Sequence, residues 1–497
     1  MRIKTVAGLA AAAMMTTSLT VWSITPPGGF GDRLAGQAQT ASVDAPTIEL
    51  DSWTFEAGET LRVEGRLGHQ TLAAQRDNET FLFVDVSAPA GAKAISPAPV
   101  NLAIVIDKSG SMNNGRLEHA VEAARGMIRR MRDGDMVSIV TYNTQASTLV
   151  SPTIIDSSSR ERVSDQLSGI VAGGDTCISC GIEAGMDALR GRDDMVQRML
   201  LLSDGKATDG VRDIAGFERI AERARDMGCA ISSLGIDVGY NERIMSTIAL
   251  SSNGRHYFVE NESSLPTIFD QELDSLVSTV ATNAELRVDL APGVTVLQVF
   301  DRAFRRDGNA LVAPMGSFAA GDDKTLLVKV RLPRGAEGSR PVADVSLAFD
   351  DLALGKPGAC SGGLRANLTN DASQVTTLDP LVGGRVGRAE TTAALRDANR
   401  LFSERKFADA KAKLDSTKLR LKGQRTTLAK RAPRPRQAEL ERDFDRQLAA
   451  LDDASEGFAT PPAAEPAGAT AGPPPPASRA GAVQVRRNEQ SAADLAF

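Results

Sequence analysis

The chain is 497 residues long, with 57 Lys and Arg against 63 Asp and Glu, a net charge of −6, four cysteines and three histidines. That length allows two to four folded units, and the near-balance of charge argues against a surface built throughout for nucleic acid, so no nucleic-acid partner is expected. Four cysteines exclude a disulfide-framed miniprotein but leave room for one or two cross-links in an oxidising compartment, and so few histidines make a histidine-rich metal centre implausible.

Residues 1–38 read as an export signal and linker, because Arg2 and Lys4 precede an uncharged, Ala-rich stretch from Thr5 to Trp22. The stretch is short and weakly apolar for a membrane span. The expected location is therefore periplasmic or secreted, with retention as an uncleaved anchor the alternative. Residues 44–97 alternate apolar and polar positions in short runs (TIELDSWTF, TLRVEGRL, TFLFVDVSA), as half-buried strands do. From 100 to 280 the style changes to continuous apolar strands (NLAIVID, MVSIVTYN, RMLLLSD, CAISSLGID) separated by helical patterns. Strands of that kind belong to a sheet covered on both faces, hence an α/β domain with a doubly wound, mostly parallel sheet.

Residues 284–380 return to alternation (AELRVDLA, VTVLQVF, TLLVKVRL, ADVSLAFD). The α/β domain is thus expected to be inserted into, or flanked by, a β-sandwich made from both neighbouring segments; two unrelated β-units are the alternative. Residues 385–455 place Ala and Leu at helical steps and predict one helical hairpin, which must dock on the sandwich or on a partner to bury its face. Residues 381–455 hold 18 Lys and Arg against 11 Asp and Glu, and the run from Lys418 to Arg436 contains no acid. A solvated helix face is the simpler reading of that run, contact with an anionic envelope or membrane surface the alternative. Residues 456–497, rich in Pro and Ala, predict a disordered tail.

The chemistry concentrates at strand ends. NLAIVIDKSGSM ends a buried strand at Asp107 and then presents Ser109 and Ser111. Thr176 opens another helix after Gly173-Gly174-Asp175, and RMLLLSDG ends a third strand at Asp204. In an open parallel sheet these loops share the carboxyl edge, where ligands bind. Two carboxylates and three hydroxyls suit a hard cation that takes oxygen ligands, Mg2+ in particular.

DKSGS, TCISCGI and LLSDG together resemble the three signature loops of the von Willebrand factor A domain, and residues 100–280 resemble its exported bacterial members throughout. The flanking β-segments resemble the sandwich of those members and of inter-alpha-trypsin inhibitor heavy chains. The resemblance implies that Asp107, Ser109, Ser111, Thr176 and Asp204 form a metal-ion-dependent adhesion site for Mg2+, with Mn2+ or Ca2+ as alternatives. It further implies a non-enzymatic binding protein that captures an Asp or Glu of a protein partner.

Cys177 and Cys180 depart from the family pattern. A CxxC at a helix start suggests a local disulfide stiffening the loop that carries Thr176; a thiol–disulfide protein using this pair is the rival reading, because a helix N-terminus stabilises a thiolate. A structural envelope protein with an incidental metal site is a third. His69, His119 and His256 have no carboxylate or cysteine at ligand spacing and are expected to be structural.

Overall fold

A computed structural model describes residues 53–94, 98–192, 194–300, 302–458 and 479–496. The expected export signal and residues 459–478 of the Pro-rich stretch lie outside the described residues. The chain begins with β1 (Thr54–Ala57), β2 (Arg62–Leu67), β3 (Thr71–Ala73) and β4 (Asn78–Ser87). Along β4 burial alternates strictly, so Leu82, Val84 and Val86 enter the apolar core while Phe81 and Phe83 face the other way.

The α/β unit follows: β5 (Val100–Asp107), α1 (Arg116–Arg130), β6 (Met136–Tyr142), β7 (Ala146–Ile154), α2 (Ser159–Gln166), α3 (Ile178–Leu189), β8 (Val196–Ser203), α4 (Ile214–Asp226), β9 (Ala230–Ile236), α5 (Glu242–Ser251), β10 (His256–Val259) and α6 (Leu265–Val277). The sheet order is β10-β9-β8-β5-β6-β7, parallel except for the antiparallel edge strand β7. Every residue of β5 is buried. Leu102, Ile104 and Ile106 pack with Leu117, Ala120 and Met127 of α1 on one face, and Ala103 and Val105 pack with Ile178, Ile182 and Met186 of α3 on the other. Helix α3 approaches closely because it turns Gly181 and Gly185, one turn apart, to the sheet: a Cβ would stand 2.6 Å from Tyr142 at the first and 2.7 Å from Met199 at the second.

The chain then builds β11 (Thr279–Leu290), β12 (Thr295–Phe300), β13 (Arg305–Asp307), β14 (Ala310–Ala319), β15 (Asp323–Leu332), β16 (Gly338–Asp351) and β17 (Lys356–Thr369). One sheet is β1-β2-β4-β15-β12 and the other β13-β14-β11-β16-β17-β3. Each sheet takes strands from both sides of the α/β unit, and one apolar cluster spans both. The two flanking segments therefore form one sandwich, with the α/β unit inserted between β4 and β11.

The helical region departs from the expected single hairpin. Three long helices, α7 (Pro380–Ser403), α8 (Phe407–Arg431) and α9 (Arg434–Phe458), are joined by α10 (Arg479–Ala496). Together they bury Leu395, Phe402, Leu414, Phe444 and Leu495, which two helices alone would leave exposed. Val382 and Ala389 of α7 pack with Phe81, Phe83, Phe300 and Leu327, so α7 covers the outer face of the first sheet. The expected disordered tail is likewise corrected at both ends: residues 456–458 finish α9 and 479–496 form α10. Four of the eight cations in the basic run are paired internally, Lys418 with Asp452, Arg420 with Glu390, Arg425 with Asp445 and Arg436 with Glu64. Among the described residues no helix is long and apolar enough to cross a membrane.

Candidate functional site

Strand β5 delivers Asp107 to the carboxyl edge of the sheet with its side chain fully buried. A buried carboxylate needs donors, and two are supplied: the Ser109 N–H to Oδ1 at 2.8 Å and the Ser203 hydroxyl to Oδ2 at 2.8 Å. Burial pushes Asp107 up to about 6, against the pull of those two donors. The Ser109 and Ser111 hydroxyls lie 3.1 Å apart, and Ser111 donates to Asp204 Oδ1 at 2.6 Å.

Thr176 joins them through backbone ties between loops. Gly110 N–H donates to Gly174 O at 3.0 Å and Gly173 N–H to Lys108 O at 2.7 Å. Gly174 has φ +86°, and a Cβ there would stand 2.9 Å from the Asn143 amide, so only glycine suits the crossing. Thr176 N–H donates to Thr208 Oγ1 at 2.9 Å, while its carbonyl accepts from Thr208 and Asp209. Ser111 and Thr176 both face Gly205: a Cβ on it would meet each hydroxyl oxygen at 3.4 Å. Ser109, Thr176 and Asp204 are buried, and exposed Ser111 stands at the rim.

The five residues expected from the sequence therefore converge. The donor set is all oxygen and carries two carboxylates, which fits a hard divalent cation of the Mg2+ class. Among the described residues there is no group of three or more His, Cys, Asp and Glu side chains placed to hold a metal, so hydroxyls would supply most of the ligation.

One member went unforeseen. Arg116, the first residue of α1, donates to Asp204 Oδ2 at 2.8 Å and to the Ser111 carbonyl at 3.1 Å, pairs with Asp237, and lies 3.5 Å from Glu262. Asp237 and Glu262 sit in the loops after β9 and β10. Nothing local to Arg116 in the sequence announces them; the only signal is a basic residue directly after the SGSMNNG loop.

Residues 101–271 match the family described as von Willebrand factor type A domain. The same α/β architecture with its flanking elements recurs in the solved structure of a von Willebrand factor type A protein from Catenulispora acidiphila, with a TM-score of 0.66 at 17% identity, covering 89% of this chain and 98% of that one. Residues 101–271 are a von Willebrand factor type A domain. Outside solved structures, this VWA-containing chain is 26% identical over 269 residues to an uncharacterized protein of Synechocystis, covering 52% of this chain and 63% of that one. It is 24% identical over 217 residues to inter-alpha-trypsin inhibitor heavy chain H4 of Bos taurus, covering 41% and 23%. The alignments span less than two thirds of these relatives' length.

Within the VWA domain Cys177 and Cys180 are joined by a disulfide at the start of α3. Cys177 is 1% exposed. Gly210 packs directly on it, where a Cβ would come within 2.6 Å of its sulfur, so the loop after Asp204 rests against the cross-linked first turn of α3. Its bonding partner Cys180 is only half-buried. Cys229 and Cys360 are free. The histidines lie apart from the site residues in the bonds they make: His69 bonds Thr80, exposed His119 bonds the Gly115 carbonyl, and buried His256 lies between Ser233 and Tyr240.

Proposed function

We propose that this chain is an exported, Mg2+-dependent protein-binding module whose VWA domain captures an acidic residue of a partner protein. The observation that carries the reading is the convergence of Asp107, Ser109, Ser111, Thr176 and Asp204 on one sheet edge, already linked hydroxyl to hydroxyl and hydroxyl to carboxylate. Ser203 and the Ser109 N–H hold Asp107 in place, the loop ties hold Thr176, and the disulfide fixes the first turn of α3 directly after Thr176. When bound, Mg2+ supplies a Lewis-acidic position that a partner's carboxylate ligates directly. Asp107 and Asp204 would supply the site's negative charge, and with the Arg116 guanidinium drawing on Asp204 a bound cation would be left able to take a further anionic ligand. Exposed Ser111 at the rim leaves room for the partner, and exposed Val171, two residues before the Gly173 tie to the Lys108 carbonyl, offers apolar surface on the same loop, which would shield the bond from water. Such a donor set favours reversible capture over turnover. Export rests on the basic, then Ala-rich, N-terminal pattern.

Isothermal titration with Mg2+ and Mn2+, together with thermal melting, tests the site. Mg2+ is expected to raise the melting temperature, and Asp107→Ala to abolish both the heat of binding and the shift. An Asp107→Ala protein that keeps the full shift would sink the reading. Capture is tested with envelope extract, with and without chelator, against the Asp107→Ala control.

A further inference from the structure

Helix α10 is fastened on two sides. Towards the bundle, Asn399 donates to the Val485 carbonyl at 3.0 Å and Asn488 to Asn399 at 2.8 Å. Towards the VWA domain, Arg486 donates to the carbonyls of Val238 and Tyr240, each at 3.0 Å, pairs with Glu242 at 2.9 Å and lies over the Tyr240 ring. Gln490 accepts from Phe258 N–H at 2.9 Å and Arg487 pairs with Glu260 at 2.7 Å. Arg479, the first residue of α10, reaches Asp237 Oδ1 at 2.8 Å.

Asp237 is also the carboxylate that holds Arg116, whose other partner is the site residue Asp204. The row Asp204, Arg116, Asp237, Arg479 thus joins the candidate metal site to the last helix of the chain through alternating charges. Two observations show that Asp237 is fixed between its partners. Its φ is +59°, a left-handed conformation rare outside glycine, and its N–H is tied to the Val259 carbonyl at 2.9 Å. Its loop also lies against the site: a Cβ on Gly239 would stand 2.7 Å from the Asp204 carbonyl. The two ends of α10 are unequal. The Arg486 side chain is 11% exposed and anchored by several groups, while that of Arg479 is 69% exposed and has one carboxylate.

We propose that Arg116 and Arg479 compete for Asp237, so that docking of the N-terminal turn of α10 and occupation of the hydroxyl–carboxylate site by a divalent cation oppose each other. The inference rests on the metal-site reading above and deepens it. With α10 docked, Arg479 draws on Asp237, and Arg116 leans on Asp204. When Asp204 is committed to a cation, Arg116 loses that partner and takes a larger share of Asp237, at the expense of Arg479. The Arg486 anchor stays, so the helix loosens from its first turn. Coupling is reciprocal: freeing Asp237 from Arg479 lets Arg116 move off Asp204 and raises cation affinity.

The test is Mg2+ titration of the full chain in wild type and Arg479→Ala, with hydrogen exchange over α10 as a second readout. Arg479→Ala is expected to bind Mg2+ about two- to fivefold more tightly, the range for one exposed ion pair. Arg479→Lys restores the wild-type value. Asp237→Asn, which leaves Arg116 to Asp204, weakens binding by about threefold or more. Saturating Mg2+ speeds exchange over 479–484 in wild type and not in Asp237→Asn. Binding of equal affinity in wild type and Arg479→Ala, with exchange over α10 unchanged by Mg2+, overturns the coupling alone. A wild type that binds neither Mg2+ nor Mn2+ overturns the metal-site reading and the coupling with it.

Discussion

The parallel sheet of the VWA domain and the sandwich around it bury apolar surface in opposite ways. In β5, β6, β8 and β9 every residue is buried, because helices cover both faces. In β4 burial follows one face; in β15 it does so towards the end, while Thr325–Val328 are buried throughout because α7 covers Leu327 on the outer face. A sheet sealed on both faces leaves its strand ends for chemistry that solvent can reach, and Asp107 at the end of β5 lies at one such edge with Ser109, Ser111, Thr176 and Asp204 in the loops. The sandwich spreads its charges over exposed ladders instead, as in Lys329 and Arg331 flanking Glu79 across β15 and β4. The difference teaches where to look: in this molecule one region gathers its candidate ligands at an edge, and the other spreads its charges over a surface.

Matched cavities test that division most severely. Ile104→Ala in β5 and Leu82→Ala in β4, both at residues with no exposure, are each expected to cost about 2–5 kcal/mol. Only Ile104→Ala, behind the site, should also weaken Mg2+ binding under conditions where both variants stay folded. Equal losses of affinity in the two titrations would break the contrast.

Acid and base separate the regions next. Burial pushes Asp85 in β4 from its ordinary 3.8 up to about 7, with Asp323 and Glu64 adding to it and Arg436 opposing. Its folded value is raised, so the ionised form is disfavoured in the fold. The sandwich is then expected to lose stability as pH rises from about 4 to 7. Burial pushes His256, at the start of β10, from 6.5 down to about 4. The unfolded chain takes up that proton first, so His256 costs the VWA domain stability as pH falls from 6.5 to about 4; Asp107, raised to about 6, works the other way below 6, so the net loss is expected between about 6.5 and 6. Hydrogen exchange followed across pH in β4 and β9 reads the two separately. Asp85→Asn should flatten the first dependence and leave the second, and the same slope in both strands would refute the separation.

A smaller effect probes the junction of sandwich and bundle. Asp379 caps α7, accepting from the Leu381 and Val382 N–H groups at 3.0 Å, and lies 3.5 Å from Arg66 of β2. Asp379→Ala is expected to cost about 1 kcal/mol in chemical denaturation and to leave Mg2+ affinity untouched.

The site was legible because its donors sit in short segments at the ends of plainly apolar strands, where type and spacing already imply an edge and a cation. The change of strand style on either side of the α/β unit was legible as well, since continuous and alternating burial leave different marks on Leu102–Ile106 and on Phe81–Val86, but not that the flanking segments share one sandwich. What stayed hidden was long-range pairing. Arg116 gains its meaning from Asp204, Asp237 and Glu262, which are 88, 121 and 146 positions away in the chain. Helix α10 was concealed for a different reason: much of its buried face is polar, with Gln484 and Asn488 satisfied by Asp453 and Asn399, and no apolar period marks it. The same holds for α8, whose inner stripe of Ala410, Leu414, Thr417 and Leu421 is too thin to show how many helices it meets.

The insertion of the VWA domain between β4 and β11 also sets how the molecule would carry a load. A partner held at the carboxyl edge would pull along β5 and β8, and the covalent path of that pull leaves the domain through two chain crossings, before Val100 and after Val277, beside the side-chain contacts to α10. Those crossings enter β4 and β11, which are inner strands of different sheets. Tension is thus split between two antiparallel ladders before it reaches the helices, so neither sheet has to be unzipped from its edge for the protein to keep its grip.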